Sequence, residues 1–304
     1  MSESFSPPES VGFIGLGKMG EPMALRLARA GYRLLVADAS GEAVTRFMGK
    51  ARCERASSLR QLGASCRVAV TMLPDGKVVR EVLLGPDGVA AGLNTDSVVI
   101  DMSSSSPVGT RELNRELAGR GVTLIDAPVS GGVRKAVDGT LAIMAGGAAA
   151  TVERCRPLLE VLGRVFATGA TGSGHAMKSL NNYLSAANLA VTAEAMLAGE
   201  RFGLDPAVMI SILNASTGRN SATEHKYTSF VLPRNFASGF SLGLMAKDLR
   251  LALELARATQ APASLLAACT RLWSDAESEL GFRADNTEIV KYLETRSGRG
   301  DEDD

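Results

Sequence analysis

The chain has no excess of either charge. Lysine plus arginine and aspartate plus glutamate stand at 33 each over 304 residues, so no overall field draws it to nucleic acid or to an acidic membrane surface. Histidine is nearly absent: His175 and His225 are the two, too few for histidine-rich metal chemistry. Cys53, Cys66, Cys155 and Cys269 are scattered, with no C-x-x-C pair. That spacing argues against a zinc site or a disulfide framework and fits a reducing compartment. No run is long and apolar enough to span a membrane. Residues 1–10 are polar and proline-bearing, do not read as a signal peptide, and are expected to be disordered. The same is expected of the charged tail 296–304. Cytoplasm is the expected compartment, with neither nucleic acid nor membrane as partner.

What remains, 45% apolar and 22% charged, is the composition of a soluble globular chain long enough for two domains. The first half alternates short apolar strands (Val11–Gly15, Arg33–Ala37, Val68–Leu73, Ser97–Asp101, Val122–Asp126, Leu141–Ala145, Arg164–Ala167) with amphipathic helical stretches. Near-continuous apolar strands between such helices predict a doubly wound, mostly parallel sheet covered on both faces, an α/β fold. After Thr168 strand signals stop. Helical patterns follow at His175–Phe202, Pro206–Asn214, Ser241–Thr259 and Ala263–Leu280. The organisation predicted is a Rossmann domain over 11–170 and an all-α domain over 171–295.

Gly15-Leu16-Gly17-Lys18-Met19-Gly20 matches G-x-G-x-x-G between a predicted strand and a predicted helix, the context a dinucleotide loop requires. Asp38 follows Gly20 by 18 residues, at the end of the second strand, where an acid would bond a ribose 2′-hydroxyl. Ala39 and Ser40 come next rather than an arginine that would embrace a 2′-phosphate. NAD is therefore favoured, with NADP kept open because Arg33 and Arg46 are near in sequence.

Two further strand ends carry donors: Asp101-Met102-Ser103-Ser104-Ser105-Ser106-Pro107 and Asp126-Ala127-Pro128-Val129-Ser130-Gly131-Gly132. Ligands bind beyond the carboxyl ends of strands in such sheets, and a serine beside glycine amides suits a carboxylate. Capped helix starts or plain turns would use the same residues. In the apolar helix after Gly174, the stripe Lys178, Asn181, Asn182, Ser185 and Asn188 recurs at three- and four-residue steps and shares one face. A buried amine there is poised to exchange protons; a lysine reaching out to solvent is the structural alternative.

Together these segments resemble the β-hydroxyacid dehydrogenase family, which includes 3-hydroxyisobutyrate dehydrogenase and tartronate semialdehyde reductase. The resemblance runs from about Val11 to Ala258 through Gly15–Gly20, Leu73-Pro74, Asp101–Pro107, Asp126–Gly132, Gly172–Asn182 and Lys247-Asp248-Leu249. It implies Lys178 as the catalytic base and Asn182 as the group that orients substrate. It likewise implies Ser130, Gly131 and Gly132 as the carboxylate cradle, and Leu73, Pro74, Ser104 and Lys247 beside the cofactor. Ser104 stands where the family usually has threonine. Phe240 and Asp248 fall where the family lines or supports the site. Imine-reducing relatives lack the lysine, so Lys178 argues for alcohol chemistry.

The expected activity is oxidation of a small 3-hydroxy acid to its semialdehyde or the reverse. Reduction of tartronate, glyoxylic or succinic semialdehyde is the alternative within enzymes, and a non-catalytic dinucleotide sensor is the alternative outside them. The long apolar helix suggests a homo-dimer or homo-tetramer. Substrate choice is expected in loops around Ser103–Ser106, Val133–Ala136 and Arg219–Lys226. His175, one turn before Lys178, reads as a helix-start residue facing cofactor or solvent, with tuning of the lysine as the rival. Arg219-Asn220 reads as a solvated connector or a loop reaching substrate, and His225 as a surface residue.

Overall fold

The computed structural model describes residues 4–296. They form two compact units that divide between Lys178 and Ser179.

The first unit is built on a nine-stranded sheet. Its strands are β1 (Ser10–Ile14), β2 (Arg33–Ala37), β3 (Glu54–Arg55), β4 (Val68–Thr71), β5 (Val98–Asp101), β6 (Thr123–Asp126), β7 (Val129–Ser130), β8 (Leu141–Gly146) and β9 (Gly163–Gly169). The order is β3-β2-β1-β4-β5-β6-β8-β7, with β9 added beside β8. Strands β1 to β6 run parallel, β8 is antiparallel to β6 and β7, and β9 is parallel to β8. β4 and β5 are buried along their whole length, as a sheet covered on both faces requires. The covering helices are α1 (Gly20–Arg29), α2 (Gly41–Met48), α3 (Leu59–Ser65), α4 (Gly76–Leu84), α5 (Pro107–Ala118), α6 (Gly132–Asp138) and α7 (Ala149–Glu160). Their starts are written in the sequence. Ser40, Ser58, Asp75 and Ser106 each accept a backbone amide from the first turn, and Pro107 follows Ser106 at a position needing no donor.

Because β1 lies between β2 and β4, the chain leaves it in opposite directions. The crevice for a ligand then opens at the carboxyl ends of β1 and β4. The loops carrying Gly15–Gly20 and Leu73-Pro74 begin there.

The second unit continues α8 (Ser173–Phe202) and adds α9 (Pro206–Ala215), a π-helix (Ala222–Val231), α10 (Leu242–Ala258), α11 (Ser264–Leu280) and α12 (Ile289–Arg296). Asp205 and Ser241 cap α9 and α10. Trp273, Tyr227, Leu189, Leu249 and Ile289 are among its fully or nearly fully buried core residues.

Three expectations need amendment. Within 1–10, the described residues are held in place: Phe5 is fully buried, its amide donates to the Arg154 carbonyl, and its carbonyl accepts from the Tyr32 hydroxyl. One aromatic ring that finds the core outweighs the polar composition around it. The compact units divide at 178/179, because the first turn of α8 is hydrogen-bonded into the first unit. α3, α6, α12 and the π-helix were not anticipated. Three of them are short, and the π-helix has no apolar repeat at the α-helical period. In the C-terminal run, Arg296 closes α12, while 297–304 lie outside the described residues.

Candidate active site

The glycine loop has the shape its spacing predicts. Gly15 adopts a φ of +100°, and a Cβ there would stand 2.3 Å from the Met72 carbonyl oxygen on the neighbouring strand end. A Cβ on Gly20 would fall 1.8 Å from the Gly15 carbonyl oxygen, so α1 closes on the loop only with glycine at that position. Around Gly17 the space is open, with no atom within 4 Å of a built Cβ. No side chain caps the start of α1. A tight turn, an open approach and an uncapped helix start are the cradle a pyrophosphate needs, so the residues present fit a dinucleotide.

At the end of β2, Asp38 accepts the Leu16 amide at 2.6 Å and the Ser40 amide at 2.7 Å, which fixes the carboxylate against the loop. Arg46 is committed to Glu21 at 3.0 Å. Lys18 and Met19 complete the loop, Lys18 exposed and Met19 half-buried.

Across the crevice, Asp101 organises the serine run. One oxygen accepts from Thr71 Oγ1 (2.9 Å) and the Ser103 amide (3.0 Å), the other from Ser105 Oγ (2.9 Å). Ser103 Oγ in turn accepts the Leu73 amide at 2.9 Å, tying the Leu73-Pro74 turn to the next strand end. Ser103 and Ser105 are buried in this scaffold, and Ser104 between them is half-buried. Ser103 and Ser105 thus carry the scaffold of this strand end.

Ser130 is placed by its pairing with Ala142 at the end of β7. Gly131 and Gly132 follow at φ of +132° and +69°, in the region that favours glycine. Both are exposed, and no side chain caps the start of α6. A serine hydroxyl followed by two exposed glycine amides is chemistry that suits an anion.

The start of α8 is fastened by Asp126 at the end of β6. Its two oxygens accept the Gly172 amide at 2.6 Å and the His175 amide at 2.8 Å. Burial raises the Asp126 carboxyl above the usual carboxylate range, opposed by His175 and by the amides it accepts. His175 is 1% exposed, neither on the surface nor open to a ligand. Its Nε2 lies 3.1 Å from the Ser103 carbonyl oxygen and its Nδ1 2.8 Å from Thr110 Oγ1, between Asp101 and Asp126. It therefore locks the helix start rather than facing cofactor or solvent. One turn on, Lys178 is 9% exposed.

In the second unit Asn182 is 6% exposed. Its Oδ1 accepts from Asn181 at 3.1 Å and its Nδ2 donates to Asp248 Oδ2 at 2.5 Å. Asp248 is buried on α10, and its second oxygen makes no hydrogen bond but stands 3.5 Å from Lys247 Nζ, an ion pair. The arrangement fixes the Asn182 amide, and Lys247 pairs with the carboxylate of its neighbour in the chain. Phe240 packs at the edge of the helical core. Asn220 is no reaching loop: it bonds Thr223, Ala222 and Thr192 and starts the π-helix, while Arg219 pairs with Glu224. His225 is exposed, as expected.

Asp101, Asp126 and Thr110 were missed as functional supports. The two aspartates carried one signal, each closing a buried strand, a costly position unless amides or hydroxyls meet it, and Thr110 carried none. Among the described residues no group of histidine, cysteine and acidic side chains is arranged to hold a metal.

Comparison with known proteins covers both halves of the chain. Residues 10–172 match the family model described as the NAD binding domain of 6-phosphogluconate dehydrogenase. Residues 172–293 match the one described as NAD-binding of NADP-dependent 3-hydroxyisobutyrate dehydrogenase. The 2-(hydroxymethyl)glutarate dehydrogenase of Eubacterium barkeri is 37% identical over 95% of this chain and 96% of its own. The 3-hydroxyisobutyrate dehydrogenase of Pseudomonas aeruginosa is 40% identical over 88% of this chain and 94% of its own. Among solved structures, the 3-hydroxyisobutyrate dehydrogenase of Mycobacterium tuberculosis superposes with a TM-score of 0.87 at 31% identity, covering 94% of this chain and 99% of that one. With both halves matched in order and relatives 37% and 40% identical over nearly their whole length, the chain belongs to the 3-hydroxyisobutyrate dehydrogenase family of NAD(P)-dependent hydroxyacid oxidoreductases.

Proposed function

We propose that the protein interconverts a small 3-hydroxy carboxylic acid and its semialdehyde, in the manner of a 3-hydroxyisobutyrate dehydrogenase, with NAD as the preferred cofactor. The observation that carries this reading is the pair Lys178 and Asn182, nearly buried one turn apart on a single face of α8, with the Asn182 amide fixed by Asp248. A sensor that only binds dinucleotide has no use for a nearly buried amine beside a braced amide. When bound at the Gly15–Gly20 loop, NAD supplies the hydride acceptor. Neutral Lys178 takes the proton of the substrate hydroxyl as the carbonyl forms, and its ammonium returns that proton in the reductive direction. Asn182 donates to the reacting oxygen and keeps it on the lysine side. Ser130 with the Gly131 and Gly132 amides binds the carboxylate and so sets which carbon is presented. Leu73, Pro74, Ser104 and Lys247 contribute to the cofactor side. Preference for NAD rests on Asp38 at the end of β2 and on the engagement of Arg46 by Glu21.

We further place the protein in the cytoplasm as a homo-dimer or homo-tetramer. Its described cysteines are all free, and α8 exposes Met177, Leu180, Leu184 and Val191. The test is a set of initial rates with NAD and NADP across 3-hydroxyisobutyrate, serine, glycerate, 4-hydroxybutyrate and 2-(hydroxymethyl)glutarate, and with NADH and NADPH across the matching aldehydes. An NAD-linked winner among 3-hydroxy acids is the expected result. A preferred aldehyde with no measurable oxidation would turn the assignment toward semialdehyde reduction. Dinucleotide binding without any turnover would refute both.

A further inference from the structure

The polar face of α8 does not end at Asn182. Ser185 continues it, seven residues after Lys178 and therefore two turns further along the same side, a rise of about 10 Å. A second amine meets it there. Lys226, half-buried on the π-helix, places Nζ 3.3 Å from Ser185 Oγ and 3.0 Å from Asn286 Oδ1. The Asn286 amide cannot turn, because its Nδ2 donates to Ser238 Oγ at 2.7 Å and to the Phe240 carbonyl at 2.8 Å. Its Oδ1 is thereby directed at the lysine.

An ammonium has three hydrogens, and these two acceptors, both neutral, engage two of them. Among the described residues no carboxylate forms an ion pair with Lys226. Asp285, whose field reaches it, spends its oxygens on the Gly239 and Thr287 amides and on the Ser238 and Thr287 hydroxyls. Burial pushes the Lys226 amine down to about 8, with Asp285 opposing, the behaviour of a cation short of compensation. A π-helix is itself rare and frequently marks a functional site.

Resting on the reaction proposed above, we propose that Lys226 and Ser185 form a distal anion subsite, so that the preferred substrates are hydroxy acids bearing a second carboxylate. The reacting hydroxyl sits at Lys178 and Asn182. A second carboxylate that reaches Ser185 lies some 4 to 10 Å further along α8, a span suited to a chain of about five carbons. The third hydrogen of Lys226 and the Ser185 hydroxyl then meet a charge that the protein itself does not supply.

The test uses the NADH-loaded protein and calorimetric titration with two non-reacting probes, glutarate and butyrate. Wild type is expected to bind glutarate about tenfold more tightly than butyrate. Lys226→Met is expected to remove that preference while leaving butyrate affinity and thermal stability near wild type, and Lys226→Arg to restore part of it. Equal affinity for the two probes in wild type overturns the subsite without recourse to any variant. So does a Lys226→Met protein that loses both probes in equal measure. Turnover of 3-hydroxyisobutyrate is followed in parallel. Turnover without glutarate preference leaves the reaction standing and removes the subsite. Glutarate preference without turnover of any hydroxy acid keeps the subsite and removes the reaction.

Discussion

Replacing Asp126 by alanine tests whether the start of α8 is held by one buried carboxylate. The side chain is fully buried and accepts two amides, Gly172 and His175, both on buried residues. Its removal strands both donors away from water, at about 1–3 kcal/mol each. Relief from burying a charge offsets part of that, and the raised carboxyl shows that burial outweighs the favourable contacts. The net loss is about 3 kcal/mol, which for a unit of this size lowers the melting temperature by roughly 6–12 °C. The sign of its pH dependence follows from the direction of the shift. A carboxyl raised in the folded state binds its proton more readily there than in the unfolded chain. Its contribution is full below the ordinary carboxylate value and is lost as pH rises through the folded one. The gap between wild type and Asp126→Ala is therefore expected to be wider at pH 4.5 than at pH 7.5, measured by calorimetry at both. Because Lys178 follows within one turn, the turnover number is expected to fall about tenfold as well. A melting temperature within 2 °C of wild type, or a gap that widens toward neutral pH, would refute the reasoning.

Lys178→Ala is expected to lower the turnover number by about a thousandfold while NADH fluorescence titration gives an affinity near wild type; retained turnover would remove Lys178 as the base. Asp248→Ala leaves the Asn182 amide without its acceptor and is expected to cost about 10- to 100-fold in kcat/KM, read from initial rates, with dinucleotide affinity little changed. Gly17→Ala and Gly20→Ala separate ligand approach from packing. The first adds a Cβ into open space and is expected to weaken dinucleotide binding at unchanged melting temperature. The second drives a Cβ into the Gly15 carbonyl and is expected to lower the melting temperature as well.

Local chemistry was enough for much of this protein. The glycine spacing, the serine caps and Pro107, the apolar strands and the i, i+4 pairing of Lys178 with Asn182 are each properties of a few adjacent residues. Those features specified a Rossmann sheet followed by helices, and they single out the residues proposed for the site. The positive-φ turn after Ser130 was legible for the same reason, since two successive glycines after a strand permit backbone that other residues resist. What the tertiary structure decided depends on partners far apart in sequence. Phe5 is ordered because Arg154 and Tyr32 meet it, and His175 is buried because Ser103, Thr110 and two strand-end aspartates converge on it. Asn182 is fixed by Asp248, and Lys226 is turned inward by Asn286. Local sequence records which donors and charges exist. Whether a charge is solvated, compensated or left waiting for a ligand is set by long-range packing, because desolvation acts through every element that closes around it.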